Sequence, residues 1–201
     1  MAETRGPSHR QDHGGGNYWR FMAMVATSTA VMFGLMYLNT YERQHVFWSE
    51  TRLWMTFMMG GAMMIVMLLF MWGMYKDKAK NVIILVVGAA VFAIALWLVR
   101  SQATVDDEEW MSAMIPHHSI AVMTSERARI TDPRVRELAD SIIAAQVREI
   151  AEMKLLLEDI EKNGAMGDGT VLPARTTKLT PQLLQEAERA AQRAKNPDTG
   201  D

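Results

Sequence analysis

Three apolar runs dominate the first half of the chain, and each is bounded by short polar connections. They cover residues 21–38, 53–74 and 82–99. Runs of this length can cross a hydrocarbon core of about 30 Å as α-helices. Tryptophan and tyrosine lie near their ends, as is typical of membrane interfaces, and acidic and basic residues are missing from their interiors. The pattern predicts three membrane-spanning helices in an all-α protein, with the lipid bilayer as partner.

Basic residues in the flanking segments indicate the orientation of these helices, because lysine and arginine favour the cytoplasmic side. The N-terminal tail and the second connection carry six of them: Arg5, Arg10, Arg20, Lys76, Lys78 and Lys80. The opposite side carries three: Arg43, Arg52 and Arg100. We therefore expect a multi-pass protein of the bacterial cytoplasmic membrane, with its N-terminus inside and its C-terminal domain outside the cytoplasm.

The second half of the chain is charged and has helical periodicity. Thr104 or Asp106 can cap a helix with an acidic first turn, and Asp132 before Pro133 is a second start. Asn163-Gly164 ends that second helix. Its apolar positions recur at helical spacing: Val135, Leu138, Ile142, Met153, Leu156 and Ile160. Residues 104–163 therefore predict an antiparallel helical hairpin.

These patterns divide the chain into four parts. Residues 1–17 form a polar, glycine-containing tail that we expect to be disordered. Residues 18–100 form the transmembrane domain and residues 104–163 the hairpin domain. Residues 164–201 hold a linker, a short polar helix that starts at Thr180-Pro181, and a final tail.

Composition limits the chemistry. The chain has no cysteine, which excludes disulfides, thiolate metal sites and cysteine nucleophiles. The net charge is -2 and no basic cluster is present, so no nucleic-acid partner is expected. The 18 methionines supply soft thioethers, which serve as core filler or as ligands of soft metals. Five of them recur every four residues in the second apolar run, where adaptable packing is favoured over a ladder for metal ions: Met55, Met59, Met63, Met67 and Met71.

The stretch "MSAMIPHHSIAVM" concentrates imidazole and thioether groups on the first helix of the hairpin. A helical projection places Met114 and His117 on one face, together with Trp110, and puts His118 at its edge near Met111. On the second helix, Gln146 falls in the apolar stripe and Glu149 lies within about 40° of it. A buried amide or carboxylate needs a partner, and the histidines across the hairpin can supply one.

From spacing alone, two interpretations stay open. The histidines are either structural groups or ligands of a metal ion. Among metals, thioethers without a competing thiolate favour Cu(I), and zinc held by the histidines with Glu149 is the second choice. We find no nucleophile–base pair and no carboxylate-rich ligand set, so no catalytic residues and no enzymatic activity are expected.

Two segments resemble a known family. "MIPHHSIA" and "DPRVRELADSIIAAQVREIAEMKLLL" are similar to the family catalogued as domain of unknown function three-hundred-five, over roughly residues 105–160. The resemblance implies a ferritin-like helical bundle outside the cytoplasm that binds copper through histidine and methionine. The ligand candidates it implies are Met114, His117, His118 and Met153, with Gln146 and Glu149 behind them and Met111 as a further candidate.

Many members of that family carry two helical hairpins, whereas this chain has one. The resemblance therefore implies that a homodimer completes a four-helix bundle. The expected function is Cu(I) binding for copper buffering or tolerance. The alternative is a metal-free structural or assembly partner of a membrane complex, in which the histidines act as pH-sensitive packing groups.

Overall fold

The structure is a computed structural model that describes residues 18–193. This part of the chain is helical and contains no strand, which confirms the predicted all-α class. The helices are α1 (Tyr18–Leu35), α2 (Glu50–Phe70), α3 (Lys78–Ser101), α4 (Asp107–Arg127), α5 (Pro133–Asn163) and α6 (Pro181–Arg193), with a short 3-10 helix at Arg43–His45. The predicted disordered tail at residues 1–17 and the end of the chain after residue 193 lie outside the described residues.

The chain forms two units, and one of them is discontinuous in sequence. The first contains residues 18–38 and 50–105, and therefore α1, α2 and α3. The second contains residues 39–49 together with residues 106–193. The predicted hairpin domain thus includes a segment from the first polar connection, which the sequence pattern had assigned to a simple loop.

Two described helices, not three, are long and apolar enough to cross a membrane. They are α2 and α3, with mean hydropathies of 2.0 and 3.0. Helix α1 does not qualify, because it starts with Tyr18, Trp19 and Arg20, carries hydroxyl groups at residues 27–29, and ends at Leu35. The prediction of three spans is therefore corrected to two. The predicted orientation, which came from the basic residues of the flanking segments, stays a prediction.

Helices α2 and α3 pack backbone against backbone. A Cβ added at Gly61 would lie 2.8 Å from the carbonyl oxygen of Gly88 and 2.9 Å from the amide nitrogen of Phe92. Only glycine allows this approach. In the core of this unit, Met64 is buried and Met67 and Met71 pack against the buried residues. These contacts support packing, rather than metal passage, as the role of the methionine stripe.

Local signals position α4 and α5. The carboxylate of Asp106 accepts a hydrogen bond from the Glu109 amide at 3.0 Å, and that of Asp132 accepts one from the Arg134 amide at 2.9 Å. Both are N-caps that satisfy a free amide of the first turn. Helix α5 begins at Pro133 and ends at Asn163, as its start and stop signals predict. The two helices are adjacent and antiparallel across a short turn.

The buried faces of the hairpin differ from the predicted ones. Its core consists of Met111, Ile115, Val122, Ile150 and Met153. On α4, His117 is exposed and Trp110 is 52% exposed. On α5, Val135, Leu138 and Leu156 are 48%, 59% and 47% exposed. The predicted α5 stripe is confirmed at Met153 and Ile160, which lie in or against the core, and is wrong at the three exposed positions. Helical spacing identifies an apolar stripe but not the neighbour that it meets.

Residues 39–49, hereafter the covering segment, lie on one side of the hairpin. Tyr41 and Phe47 pack against its core, and the short 3-10 helix presents His45 to α4. This segment adds apolar contacts that two helices cannot make alone. It also brings a third histidine into the unit.

Candidate functional site

The clearest polar contact between α4 and α5 joins His118 to Glu149. The imidazole Nδ1 lies 3.2 Å from the carboxylate Oε2, and the amide Nε2 of Gln146 lies 3.4 Å from the same oxygen. The His118 side chain is 14% exposed and that of Glu149 is 39% exposed. The structure therefore brings together the histidine, the carboxylate and the amide that the sequence placed on facing helices.

The geometry of this contact leaves the imidazole poorly satisfied. Nδ1 of His118 is fully buried, and its approach to Glu149 is too poorly aligned for a hydrogen bond, so the atom has none within residues 18–193. Burial lowers the pKa of His118 below its ordinary value, while Glu149 opposes this effect and His117 adds to it. The ring is therefore neutral at pH 7. A neutral imidazole is the form that can coordinate a metal ion.

His117 is exposed and is not part of this buried arrangement. Its ring centroid lies 6.4 Å from that of His118, with the ring planes at 61°. Nitrogen–metal distances are about 2.0–2.1 Å. Two rings this far apart can reach one ion only if it lies between them, at the edge of the hairpin.

Three methionines meet in the same region. Met111 and Met153 are 4% and 6% exposed in the hairpin core, and Met114 packs against that core while remaining partly exposed. Of the predicted ligand candidates, the structure thus brings Met111, Met114 and Met153 into one cluster. His118 follows Met114 by one helical turn on α4. His117 lies outside the cluster.

The described residues form no metal site made of histidine and acidic side chains alone. Among the described residues, no group of three histidine or acidic side chains is arranged to hold a metal ion. This includes the predicted zinc set of His117, His118 and Glu149.

Ser119 and His45 are polar residues of this unit that the sequence pattern did not link to each other. Ser119 is fully buried, and its hydroxyl accepts a hydrogen bond from the Tyr41 amide at 3.0 Å. Nδ1 of His45 lies 3.0 Å from the same hydroxyl. The guanidinium of Arg127 also stacks 5.4 Å from the centre of the Tyr41 ring. The sequence signal for this contact was a histidine in a short connection. No local pattern links that histidine to a serine 74 positions later.

Comparison with known proteins identifies the family. Residues 107–199 match the family model described as "Domain of unknown function (DUF305)". This match over residues 107–199 supports membership of the DUF305 family for that part of the chain. The match begins at the first residue of α4 and extends past α6, so the DUF305 region includes the linker and last helix as well as the hairpin.

A viral relative shows how far the similarity extends. An uncharacterised protein of Acanthamoeba polyphaga mimivirus is 38% identical over 77 residues, which are 37% of this chain and 51% of the viral protein. The chain thus spans about half the length of that relative. No solved structure matches the chain.

Proposed function

We propose that the α4–α5 hairpin binds a soft metal ion, Cu(I) in the first place, for copper buffering or tolerance. The observation that supports this is the neutral, buried imidazole of His118 beside a carboxylate and a methionine cluster. A carboxylate that accepts a hydrogen bond from one ring nitrogen orients a metal-binding histidine and leaves the other nitrogen to the metal. We propose that Nδ1 of His118 donates to Glu149, 3.2 Å away, when the metal is bound. In this arrangement Nε2 of His118 is the ligating atom.

The remaining ligands follow from the softness of the donors. Cu(I) prefers thioether and imidazole to carboxylate and carbonyl oxygen. Met114 is the thioether at the partly exposed edge of the cluster, and Met153 and Met111 are the buried ones. His117 completes the set only when the ion lies between the two rings. The proposed ligands are Met114, His117, His118 and Met153, with Glu149 and Gln146 orienting His118.

We also propose that the hairpin lies outside the cytoplasm of a bacterial cell. The covering segment and α4–α5 belong to one unit, and only α2 and α3 separate them in sequence. Two crossings by α2 and α3 would return the chain to the side on which it started. The α2–α3 connection carries Lys76, Lys78 and Lys80, which favour the cytoplasmic side for that connection.

Competition titration with a chromogenic Cu(I) chelator tests the metal proposal on the full-length protein in detergent. We expect one Cu(I) per chain, and we expect His117→Ala combined with His118→Ala to weaken binding at least a hundredfold. Met153→Leu keeps the buried volume but removes a sulfur, so it should weaken binding with little loss of stability. His45→Gln is the matched control, because it removes a histidine that lies outside the proposed ligand set. Equal affinity in wild type and the double variant would exclude the site.

A second function is supported by apolar side chains that α5 leaves exposed. Leu138 and Leu156 are five helical turns apart and point in the same direction, and Glu149 lies within about 20° of them. A partner on this edge would cover the His118–Glu149 contact. We propose a second copy of the chain as that partner, which would complete a four-helix bundle, or alternatively a metal-free assembly role in a membrane complex.

Light scattering of the protein in detergent distinguishes these assemblies. A homodimer that Leu138→Glu together with Leu156→Glu converts to a monomer would support self-association, and Leu179→Glu, in the linker outside this edge, is the control. A monomeric wild type that co-purifies with another membrane complex and takes up no copper would favour the assembly role instead.

A further inference from the structure

The covering segment and the hairpin line a half-open cavity. Its volume is about 280 Å³, the share of about nine water molecules in the liquid. The segment contributes Tyr41, Glu42 and His45, and the helices contribute Val122, Val147, Ile150, Ala151 and Lys154. All of these residues belong to the same unit.

The cavity has an apolar floor and one cation. The floor consists of aliphatic side chains of α4 and α5, of which Val122 and Ile150 are buried. Lys154 has no carboxylate within 4.0 Å among the residues that the structure describes, whereas Lys162 on the same helix pairs with Glu158 at 3.6 Å. An ammonium group next to an apolar cavity, without a protein counter-ion, is a place for an anionic ligand.

The polar groups around Lys154 fit an anion better than a metal ion. Glu42 is 54% exposed and lies 3.7 Å from Nε2 of His45, so its charge is largely screened by solvent at the rim. Burial and Lys154 both lower the pKa of His45, and they outweigh Glu42.

His45 can also donate to such a ligand. Because the Ser119 hydroxyl accepts from the Tyr41 amide, its own hydrogen is available to Nδ1 of His45. In that tautomer Nε2 carries the proton. Nε2 lies 3.7 Å from the Glu42 carboxylate, which is too far for a hydrogen bond, so its N–H is free to donate to a ligand in the cavity that His45 lines.

We propose that this cavity binds a small monocarboxylate whose carboxylate pairs with Lys154 and whose apolar body lies on Val122 and Ile150. The volume accommodates a single aromatic ring or a short aliphatic chain. Nothing in this site depends on the proposed copper ligands, since His117, His118 and the methionine cluster do not line the cavity. The two sites can therefore be tested separately.

The experiment uses the full-length protein in nanodiscs and 4-fluorobenzoate as the probe, observed by fluorine relaxation. Empty nanodiscs correct for partition into lipid. We expect saturable binding that unlabelled benzoate displaces. Lys154→Met keeps the aliphatic stem and removes the charge, so it should weaken binding about tenfold or more, the effect expected for losing a charge-assisted contact. Lys162→Met, on the same helix but outside the cavity, should bind as the wild type does.

A second variant and a neutral probe separate charge from shape. Ala151 lines the cavity at an exposed position of α5, so we expect the helix to tolerate Ala151→Leu. The larger side chain should fill the cavity and exclude the ligand. The neutral 4-fluorobenzyl alcohol should bind at least tenfold more weakly than the carboxylate. Binding that is equal in wild type and Lys154→Met, or equal for the two probes, would overturn the proposal, as would the absence of saturable binding.

Discussion

Ser119 on α4 and His45 in the covering segment meet through a contact of 3.0 Å between the hydroxyl oxygen and Nδ1 of the ring. The same hydroxyl accepts the Tyr41 amide. One buried serine thus satisfies two groups of a segment that precedes α2. The contact explains why the covering segment belongs to the hairpin unit.

Replacing Ser119 should loosen the covering segment. Ser119→Ala leaves the Tyr41 amide and the His45 ring without their partner, and a buried unsatisfied polar group costs about 1–3 kcal/mol. We expect the Tyr41 amide to exchange with solvent at least several-fold faster, as measured by hydrogen–deuterium exchange. Ser141→Ala is the control, because that hydroxyl is exposed and bonds only to the Leu138 carbonyl of its own helix. Unchanged exchange at Tyr41 would show that the contact does not hold the segment.

The pKa of His45 should respond to both of its charged neighbours. Burial and the ammonium group of Lys154 lower it below 6.5, and Glu42 raises it. Nuclear magnetic resonance titration should therefore give an upward shift in Lys154→Met and a further downward shift in Glu42→Gln. Lys162→Met should leave it unchanged.

The same shift has a consequence for stability. Since the unfolded chain takes up this proton near pH 6.5 and the folded chain only at lower pH, unfolding binds protons between those two values. The contribution of His45 to stability is complete above pH 6.5 and is lost as the pH falls toward the folded pKa. His45→Gln should flatten this part of the stability profile, and an equally steep profile in that variant would assign the dependence to another group.

The close approach of α2 and α3 should not tolerate a methyl group. Gly61→Ala places Cβ against the backbone of Gly88 and Phe92, which cannot rotate away, so the helices must separate at a cost of about 1–3 kcal/mol. We expect a lower midpoint in denaturation by sodium dodecyl sulfate. Gly34→Ala is the matched control, since nothing lies within 4 Å of its added Cβ in α1. A midpoint as high as that of the control would contradict the packing.

The absence of cysteine makes the topology directly measurable. Single replacements at exposed positions, Gln44→Cys, Lys178→Cys and Lys76→Cys, can be labelled with an impermeant maleimide in intact cells and in inverted vesicles. Residues 44 and 178 belong to one unit, so they should react from the same side, and residue 76 from the other. Labelling of residues 44 and 178 from opposite sides would rule out two crossings between them.

Local signals in the sequence were enough for the helix boundaries. Asp132 before Pro133 and Asn163 before Gly164 define α5, because caps act within one turn. Asp106 likewise starts α4. The all-α class and the hairpin followed from these signals and from helical periodicity.

These local signals could not predict which face of α4 is buried. Met111, Ile115 and Val122 recur at helical spacing, and so do Trp110, Met114 and His117. Only the neighbouring elements decide which of these residues are buried. The contact of His118 with Glu149 could be predicted from the sequence, because each residue lies at the edge of the predicted face of its helix. The cavity at His45 was not, since it needs a segment that lies on the far side of α2 and α3 in sequence.

The discontinuity of the hairpin unit also sets the order in which it can form during synthesis. Residues 39–49 leave the ribosome first, and α4 and α5 emerge only after α2 and α3 have been made. Until then Tyr41 and His45 cannot bind Ser119, so this unit can complete its folding only after α2 and α3 have been synthesised.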